Sequence, residues 1–427
     1  MHPSTRQAAI TVAALVLAAC ESGGAHATGP RGSDAFARFV AIGTSVTMGV
    51  QSGGVLYDTQ VQAWPALLAR QAGAAFAMPL LRTPGCSPPL VAPLQLAHLL
   101  SGASAVAGDS SCAGALGTVL PPLNNLALSG ATAWAALNLT PKAIAAAPAK
   151  YGAGDRARYP LALGSTQSQV TAMIVERPSL VSVELGLAEV LSAATTGLLV
   201  PAASYTQSAP FTYVPAAVFA PIYGAIADSV KQKTGALGVL LSVPHVAKLY
   251  GVRPAAEIWA DRVELATFGV TVAADCNASA NFVFTPSIIP KLVALAAAAG
   301  APQPLSCTDV PGSADAVLTS GDVATLNSVV DQMNAQVRQL ADSIGWAFAD
   351  LDAVFSGFTS ARTPYRASEE LGCVYPYGAY VSFDGVHPNV AGHQSIANVV
   401  AAAINAKYGF EIPVVPGLPI ARTVLCP

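Results

Sequence analysis

The sequence predicts an α/β protein with a parallel central sheet and crossover helices. Two observations indicate this fold class: short apolar, β-rich runs alternate with alanine-rich helical stretches, and much of the apolar content is alanine, which favours close helix packing. The chain has 427 residues, of which 53% are hydrophobic and 11% charged, so it can bury a large core and is too apolar to be disordered. With 21 basic and 24 acidic residues, a net charge of −3 and no long basic run, nucleic acid is not expected as a partner.

The main elements follow from apolar periodicity and from helix start signals. Strands are predicted at residues 38–42, 180–184, 236–243 and 347–351, with a further short strand near residues 74–78. Helices are predicted at residues 64–72, 166–176, 324–344 and 391–407. The last helix follows Pro388-Asn389, and residues 318–322 offer caps for the helix before it.

The N-terminus has the pattern of an export signal over residues 1–19. His2 and Arg6 precede an apolar stretch of about ten residues, which is too short to span a bilayer. The Leu-Ala-Ala-Cys run that ends at Cys20 resembles the lipobox of bacterial lipoproteins, which implies cleavage before Cys20 and its acylation. An ordinary secretory signal is the alternative. Residues 20–35 then form a flexible tether, and we expect a lipid-anchored protein on the periplasmic or outer-membrane side of the cell envelope.

Residues 36–427 are predicted to form one domain with insertions, around residues 83–123, 192–235 and 250–315. The second of these contains an aromatic-rich part, made of Tyr205, Phe211, Tyr213, Phe219 and Tyr223. These side chains can line a pocket for an acyl or sugar group, or they can pack an inserted segment onto the core.

Cysteine usage supports export. Of the seven cysteines, Cys20 is set aside for the anchor, and the remaining six predict three disulfides in an exported chain. Sequence alone does not fix their connectivity. Pairing neighbours along the chain gives Cys86–Cys112, Cys276–Cys307 and Cys373–Cys426. Six unrelated thiols are the alternative, and no cysteine or histidine spacing matches a zinc site.

Two short motifs carry the candidate chemistry. Ser45 follows the first predicted strand in the turn Gly43-Thr44-Ser45, and Asp384 and His387 lie three residues apart near the other end of the chain. A serine hydroxyl is a poor nucleophile until a base removes its proton, and the base needs a third group to fix its tautomer. If the fold brings the two ends together, these side chains form a catalytic triad.

These motifs resemble those of the SGNH, or GDSL-type, serine hydrolases, which place the nucleophile after the first strand and an Asp-x-x-His pair near the C-terminus. Thr44 stands where that family has an aspartate. The resemblance implies a three-layer α/β/α, flavodoxin-like fold and a serine esterase or lipase. It also implies that the Ser45 and Gly130 N–H groups form an oxyanion hole, although Gly130 is otherwise a plausible turn glycine.

A third block departs from the family pattern of Gly-x-Asn-Asp. Gly186-Leu187-Ala188-Glu189 aligns best, so Ala188 occupies the position of an asparagine that donates to the oxyanion. Loss of such a donor costs roughly a hundred- to a thousandfold in rate in other hydrolases. The side chains that can substitute for it are those of Thr44, Asn124 and Asn125.

The sequence therefore favours hydrolysis of a carboxylic ester through an acyl-enzyme on Ser45, with no metal or organic cofactor implied. The substrate can be a lipid, a small ester or an O-acetylated glycan, and the apolar composition favours an uncharged or lipid-like acyl group. The alternative is a catalytically impaired lipoprotein of the same fold that acts as a binding protein. The remaining polar residues of interest are interpreted as structural, namely His245, His393, Asp350 and Asp352.

Overall fold

The structure is a computed structural model that describes residues 29–105, 111–374 and 376–415. The strands in these ranges are β1 (Phe39–Gly43), β2 (Leu180–Glu184), β3 (Leu237–Leu241), β4 (Val252–Pro254), β5 (Val270–Val272), β6 (Phe282–Phe284), β7 (Gln303–Leu305), β8 (Val317–Leu318) and β9 (Ala347–Ala349). The α-helices are α1 (Ser45–Met48), α2 (Tyr57–Gln60), α3 (Trp64–Gln71), α4 (Ala133–Asn138), α5 (Pro141–Ala146), α6 (Ala153–Leu163), α7 (Gln169–Val175), α8 (Ala188–Thr196), α9 (Ala216–Thr234), α10 (Ala255–Ala260), α11 (Arg262–Thr267), α12 (Thr285–Ala299), α13 (Ser320–Ile344), α14 (Leu351–Ser360), α15 (Ala367–Leu371) and α16 (Val390–Tyr408).

The central sheet contains β1, β2, β3 and β9 in that order, and all neighbouring pairs are parallel. An extended segment at residues 124–128 continues the sheet beyond β1, because the Leu126 N–H donates to the Ala41 carbonyl and the Leu128 N–H to the Gly43 carbonyl. Counted as the second strand in the chain, this segment gives the order 2-1-3-4-5 that is typical of flavodoxin-like sheets. In such sheets a ligand crevice forms where the order reverses, which here is beyond the carboxyl ends of β1 and β2.

Helices cover both faces of the sheet, which explains why β1 and β2 are buried along their whole length. Successive residues of a strand point to opposite faces. Accordingly Phe39 and Ala41 belong to one core, with α3 and α16, while Val40 and Ile42 belong to another, with α4, α7 and α9. The predicted fold class, an α/β protein with a parallel central sheet, is confirmed.

The strand predicted near residues 74–78 is wrong. These residues form no strand, and the sheet edge next to β1 is occupied by residues 124–128 instead. The Asn124 side chain holds this arrangement, since it accepts the Ala77 N–H at 2.7 Å and donates to the Phe39 carbonyl at 2.6 Å. Short apolar runs do not reveal which of two segments pairs with a strand.

The three segments predicted as insertions differ in structure. The described residues of 83–123 form an irregular loop region, whereas 250–315 holds four short strands and α10–α12 around a small core of its own. The segment 192–235 ends in α9, which packs on α4, α7 and α13. Because parallel neighbours need a crossover connection, α9 is the link from β2 to β3, and this part of the segment belongs to the basic fold.

Two of the predicted disulfides are present, Cys86–Cys112 and Cys276–Cys307. Cys373 is also disulfide-bonded, and its predicted partner Cys426 lies outside the described residues. Disulfides persist in oxidising compartments, so these bonds indicate an exported protein. Cys20 and the predicted signal also lie outside the described residues, and no helix within the described ranges is long and apolar enough to cross a bilayer.

Candidate active site

Ser45 begins α1, directly after the turn that follows β1, at the carboxyl end of the sheet. A Cβ at Gly43 would come within 2.7 Å of the Glu184 carbonyl, so this close strand-to-helix turn requires glycine. The Thr44 hydroxyl accepts the Val46 N–H at 3.3 Å and caps α1. Ser45 is thereby fixed as the first residue of the helix.

The structure brings Ser45, His387 and Asp384 together, although Ser45 and His387 are 342 positions apart in the chain. His387 Nε2 lies 2.7 Å from Ser45 Oγ, and His387 Nδ1 lies 2.7 Å from Asp384 Oδ2. The other carboxylate oxygen of Asp384 accepts the backbone N–H groups of Val386 and His387, at 2.9 and 2.8 Å. The result is an unbroken hydrogen-bonded line from carboxylate to imidazole to hydroxyl.

The environment of Asp384 keeps it ionised. Burial alone would raise the pKa of this carboxyl, but the charge and hydrogen bonds of His387, together with the Val386 N–H, outweigh burial and hold the pKa below its usual value. An anionic Asp384 favours the tautomer in which His387 Nδ1 carries the proton. Nε2 is then free to accept the proton of Ser45.

A loop after α1, not predicted from the sequence, supports the Asp384 turn. The Gly53 N–H donates to Asp384 Oδ2 at 2.5 Å. The Ser52 N–H donates to Ser382 Oγ at 2.7 Å, and Ser382 Oγ in turn lies 3.3 Å from Asp384 Oδ1. The Phe383 N–H closes the network by donating to Ser52 Oγ at 3.2 Å. These contacts join the loop after α1 to the turn that carries Asp384 and His387.

The two backbone N–H groups predicted as an oxyanion hole are those of Ser45 and Gly130. Ser45 is the first residue of α1, so its N–H has no acceptor within the helix. Gly130 has φ +75° and is exposed, two residues after Leu128, whose N–H bonds to the Gly43 carbonyl beside the nucleophile turn. Neither the Ser45 nor the Gly130 N–H has an acceptor among the described residues.

The segment Gly186-Leu187-Ala188-Glu189 contributes a buried carboxyl in place of an amide donor. Ala188 begins α8 and has no polar side chain, while Glu189 accepts the Ala133 N–H at 2.6 Å and the Tyr205 hydroxyl at 2.8 Å. Burial raises the pKa of Glu189 to about 7, and the two hydrogen bonds offset only part of that effect. Glu189 therefore ties α8 to the start of α4 and to the Tyr205 loop.

The side chains predicted as substitutes for the missing donor are all engaged elsewhere. Asn124 binds the Phe39 carbonyl, and Asn125 Nδ2 donates to the Thr47 carbonyl at 2.9 Å. The Thr44 hydroxyl donates to Glu184 at 2.8 Å. These contacts hold the strand edge and the turn that carries Ser45, so each of the three possible substitutes already donates to another group.

Glu184, which the sequence motifs did not single out, anchors the nucleophile turn. It ends β2, is 2% exposed, and accepts the Thr44 N–H and the Thr47 hydroxyl, both at 3.0 Å. Burial raises its pKa, and the hydrogen bonds from Thr44 and Thr47 counteract that rise. Its only signal in the sequence is a charged residue at the end of a short buried strand.

Of the remaining candidates, His245, Asp350 and Asp352 lie in other hydrogen-bond networks, whereas neither ring nitrogen of His393 has a hydrogen-bond partner among the described residues. His245 contacts Asp352 and Asp331, each at 2.9 Å, and Asp350 caps α14. His393 is fully buried, and burial lowers its pKa to about 3, so it is neutral. Within the described ranges no group of three or more His, Cys, Asp or Glu side chains is placed to hold a metal ion.

Two clefts flank the site. One, of about 670 Å³, is lined by Gly130 together with Tyr205 and Phe211, and the other, of about 520 Å³, is lined by leucines and prolines next to Gly53 and Phe383. Of the five aromatics predicted as a possible pocket, Phe219 and Tyr223 are buried in the core and Tyr213 packs against it. The other two, Tyr205 and Phe211, line the first cleft.

A scan of protein-family models gives no match, and neither does a search of curated proteins. Among solved structures, a GDSL-like lipase from Parabacteroides merdae is 11% identical, with a TM-score of 0.37, over 86% of this chain and 95% of that chain. LAE5, an α/β hydrolase from a Lake Arreo metagenome, is 14% identical with a TM-score of 0.36, over 86% and 94% of the two chains. The acetylxylan esterase Axe2 from Geobacillus stearothermophilus is 12% identical with a TM-score of 0.34, over 86% and 93%. Since these TM-scores are low, the site is interpreted from its own geometry.

Proposed function

We propose that this protein is a serine hydrolase that cleaves carboxylic esters through an acyl-enzyme on Ser45. The single observation that carries the proposal is the hydrogen-bonded line in which His387 lies 2.7 Å from both Ser45 Oγ and Asp384 Oδ2. Such an arrangement recurs in hydrolases of unrelated folds because the chemistry requires it. Its place beyond β1 and β2, where the strand order reverses, is where open α/β sheets bind ligands.

In the first half of the reaction, Ser45 Oγ attacks the ester carbonyl carbon while its proton passes to His387 Nε2. The carbonyl electron pair moves onto oxygen, where the N–H groups of Ser45 and Gly130 stabilise the charge. When the intermediate collapses, the C–O bond to the alcohol breaks and the leaving oxygen takes the proton from His387. A water molecule then repeats the sequence on the acyl-enzyme, which releases the carboxylic acid and restores the Ser45 hydroxyl.

Ala188 sets an expectation for the rate. With no side-chain amide at this position, the oxyanion is stabilised by backbone groups alone, and a missing donor costs about a hundred- to a thousandfold in kcat in comparable sites. We therefore expect a slow enzyme, with activity above background on activated esters such as p-nitrophenyl acetate.

The test is turnover of p-nitrophenyl acetate by purified wild type, Ser45→Ala and Ser182→Ala. Ser182 is a matched control because it is buried in β2 and its hydroxyl has no hydrogen-bond partner among the described residues. The proposal predicts that Ser45→Ala reduces the rate to that of buffer while Ser182→Ala retains it. Equal rates for wild type and Ser45→Ala would rule out the enzyme function.

The second candidate is a catalytically impaired lipoprotein of the same fold that binds a ligand. The observation in its favour is the absence of a side-chain donor at Ala188 together with the engagement of Asn124, Asn125 and Thr44 in other contacts. This candidate predicts no turnover but a retained fold, which circular dichroism of the same preparations distinguishes from misfolding.

The proposed location is the bacterial cell envelope, with a lipid anchor on Cys20 after removal of residues 1–19. The Leu-Ala-Ala-Cys run supports this, as do the disulfides of the folded part. After expression of the full chain in a bacterium and detergent phase partition, the wild type should be recovered in the detergent phase. The Cys20→Ala variant should be recovered in the aqueous phase, or as a precursor that retains its signal. Equal partition of the two proteins would contradict the anchor.

A further inference from the structure

The cleft beside Gly130, here called the aromatic cleft, combines aromatic faces with hydrogen-bonding groups. Its volume of about 670 Å³ lies within the range of roughly 300–1,000 Å³ typical of small-molecule sites. Trp134, Tyr151 and Phe211 are half-buried in its wall, so parts of their rings face solvent. Its main polar residues are Ser129, Thr132, Lys150, Gln207 and Ser208.

The aromatic cleft begins where the chain leaves the segment that pairs with β1. Ser129 and Gly130, which line it, directly follow residues 124–128, the strand segment beside β1. Adjacent strands are about 4.8 Å apart, so the chain leaving this segment passes one strand spacing from the turn that carries Ser45. A substrate held at Ser45 with its carbonyl oxygen at the Gly130 N–H therefore extends into the cleft.

Hydrogen bonds within the chain hold the wall of the aromatic cleft in place. The Tyr205 hydroxyl bonds to the buried Glu189, and Gln207 Oε1 accepts the Ala203 and Ser204 N–H groups at 2.6 and 3.3 Å. Gln207 Nε2 also donates to the Ala209 carbonyl at 3.0 Å. A preformed wall of this kind loses little conformational entropy when a ligand binds.

The composition of the cleft favours a neutral ligand with one apolar face and several hydroxyl groups. The charged groups of the cleft are already engaged: Asp155 pairs with Arg158 at 2.8 Å, and the exposed Lys150 ammonium lies over the Tyr151 ring, 5.6 Å from its centre. An alkyl chain would displace water from the Ser129 and Ser208 hydroxyls without replacing its hydrogen bonds, which costs free energy. A sugar ring instead places its C–H face on an aromatic ring and its hydroxyls on the polar groups around it.

We propose that the aromatic cleft binds a neutral sugar ring of the substrate, so that the alcohol released in the Ser45 reaction is a hydroxyl group of a glycan. This inference rests on the proposed function and narrows it to esters of neutral glycans. The competing occupant is a fatty acyl chain, which would better suit the second cleft, where Leu90, Leu94 and Leu99 form the wall.

Tryptophan fluorescence gives a direct binding test, independent of turnover. Of the four tryptophans, Trp64 and Trp346 are buried and Trp134 and Trp259 are half-buried, so only the last two can report a surface ligand. The full chain carrying Ser45→Ala is titrated with cellotetraose, xylotetraose, mannotetraose and chitotetraose, and separately with sodium dodecanoate. The inference predicts a saturable change with at least one oligosaccharide, which is lost when Trp134→Phe is added and kept with Trp259→Phe.

Two outcomes of this titration would overturn the inference. One is that none of the oligosaccharides shows saturable binding up to about 10 mM, because a weaker Kd would correspond to less than about 3 kcal/mol of binding free energy. The other is a dodecanoate response that disappears with Trp134→Phe, which would assign the cleft to an acyl chain.

Kinetics on the acetylated form of the bound oligosaccharide tests the link to catalysis. Trp134→Ala should reduce the ratio of kcat/KM for this ester to that for p-nitrophenyl acetate by about tenfold or more, mainly through KM, and Trp134→Phe should restore most of it. Trp259→Ala should leave the ratio unchanged, because Trp259 lies in α10 and does not line the cleft. An unchanged ratio in Trp134→Ala would contradict the inference. Absence of turnover by wild type on both esters would instead count against the proposed function, while the fluorescence titration still decides what the cleft binds.

Discussion

The carboxylate of Glu184 accepts hydrogen bonds from both the backbone N–H and the hydroxyl of Thr44, at 3.0 and 2.8 Å. Thr44 stands where the SGNH pattern has an aspartate, and the carboxylate in this protein comes from the neighbouring strand instead. The pair joins the end of β2 to the turn that carries Ser45. The position of Ser45, the proposed nucleophile, thus depends on a buried glutamate that the motif itself does not contain.

Thr44→Val should test this dependence. The substitution keeps the shape of the side chain but removes the hydroxyl that bonds Glu184 and caps α1, so we expect the free energy of unfolding to fall by about 1–3 kcal/mol and kcat to fall with it. Thr44→Ser keeps the hydroxyl, so its free energy of unfolding should fall by less than half as much as that of Thr44→Val. Urea denaturation and turnover of p-nitrophenyl acetate measure the two effects, and equal stability of the two variants would show that the hydroxyl is unimportant.

Asp384→Asn should separate orientation of the imidazole from packing. The amide has the shape of the carboxylate but favours the wrong tautomer of His387, so kcat should fall by about 10⁴-fold, as for the same change in a serine protease triad. Asp331→Asn is the matched control, because Asp331 also contacts a histidine, His245, outside the site. The role given to Asp384 is wrong if both variants retain wild-type kcat.

Glu189 should make stability depend on pH. Burial raises its pKa from 4.5 to about 7, so between these values the native state holds a proton that the unfolded state has lost. The free energy of unfolding contributed by this group therefore falls as the pH rises from about 5 to 7, by roughly 3 kcal/mol at 1.36 kcal/mol per pKa unit. Glu189→Gln removes the titration. The difference in unfolding free energy between wild type and variant should thus shift by that amount from pH 5 to pH 8, and a constant difference would refute the assignment.

The Cys276–Cys307 disulfide should stabilise the segment between β3 and α13. It closes a loop with a sequence separation of 31, for which the chain-entropy relation gives about 3–4 kcal/mol. A double Cys276→Ser/Cys307→Ser variant should lose stability of this order in urea, and reductant should then have a smaller effect on the variant than on wild type. Stability unchanged by the double substitution would contradict the prediction.

Local patterns in the sequence were sufficient for the sheet and for the candidate triad. The four central strands are marked by apolar runs, and Ser45 and His387 lie in turns whose glycine, proline and aspartate residues are visible in the chain. The edge segment at residues 124–128 was missed because its pairing depends on the Asn124 side chain bridging two other segments. Glu184 and Glu189 were missed as anchors for a similar reason, since the donors that they bind lie far away in the sequence. The aromatic residues could not be divided between cleft and core, because the direction of a side chain depends on the helix or loop that carries it.

Labelling with a fluorophosphonate probe, followed by peptide mapping, tests the central claim most directly, because the probe reacts only with a serine whose proton is removed by a nearby base. The account predicts stoichiometric modification of Ser45 in the wild type, strong loss of labelling in His387→Ala, and none in Ser45→Ala. Modification of a different serine, or ester turnover that persists in Ser45→Ala, would contradict it.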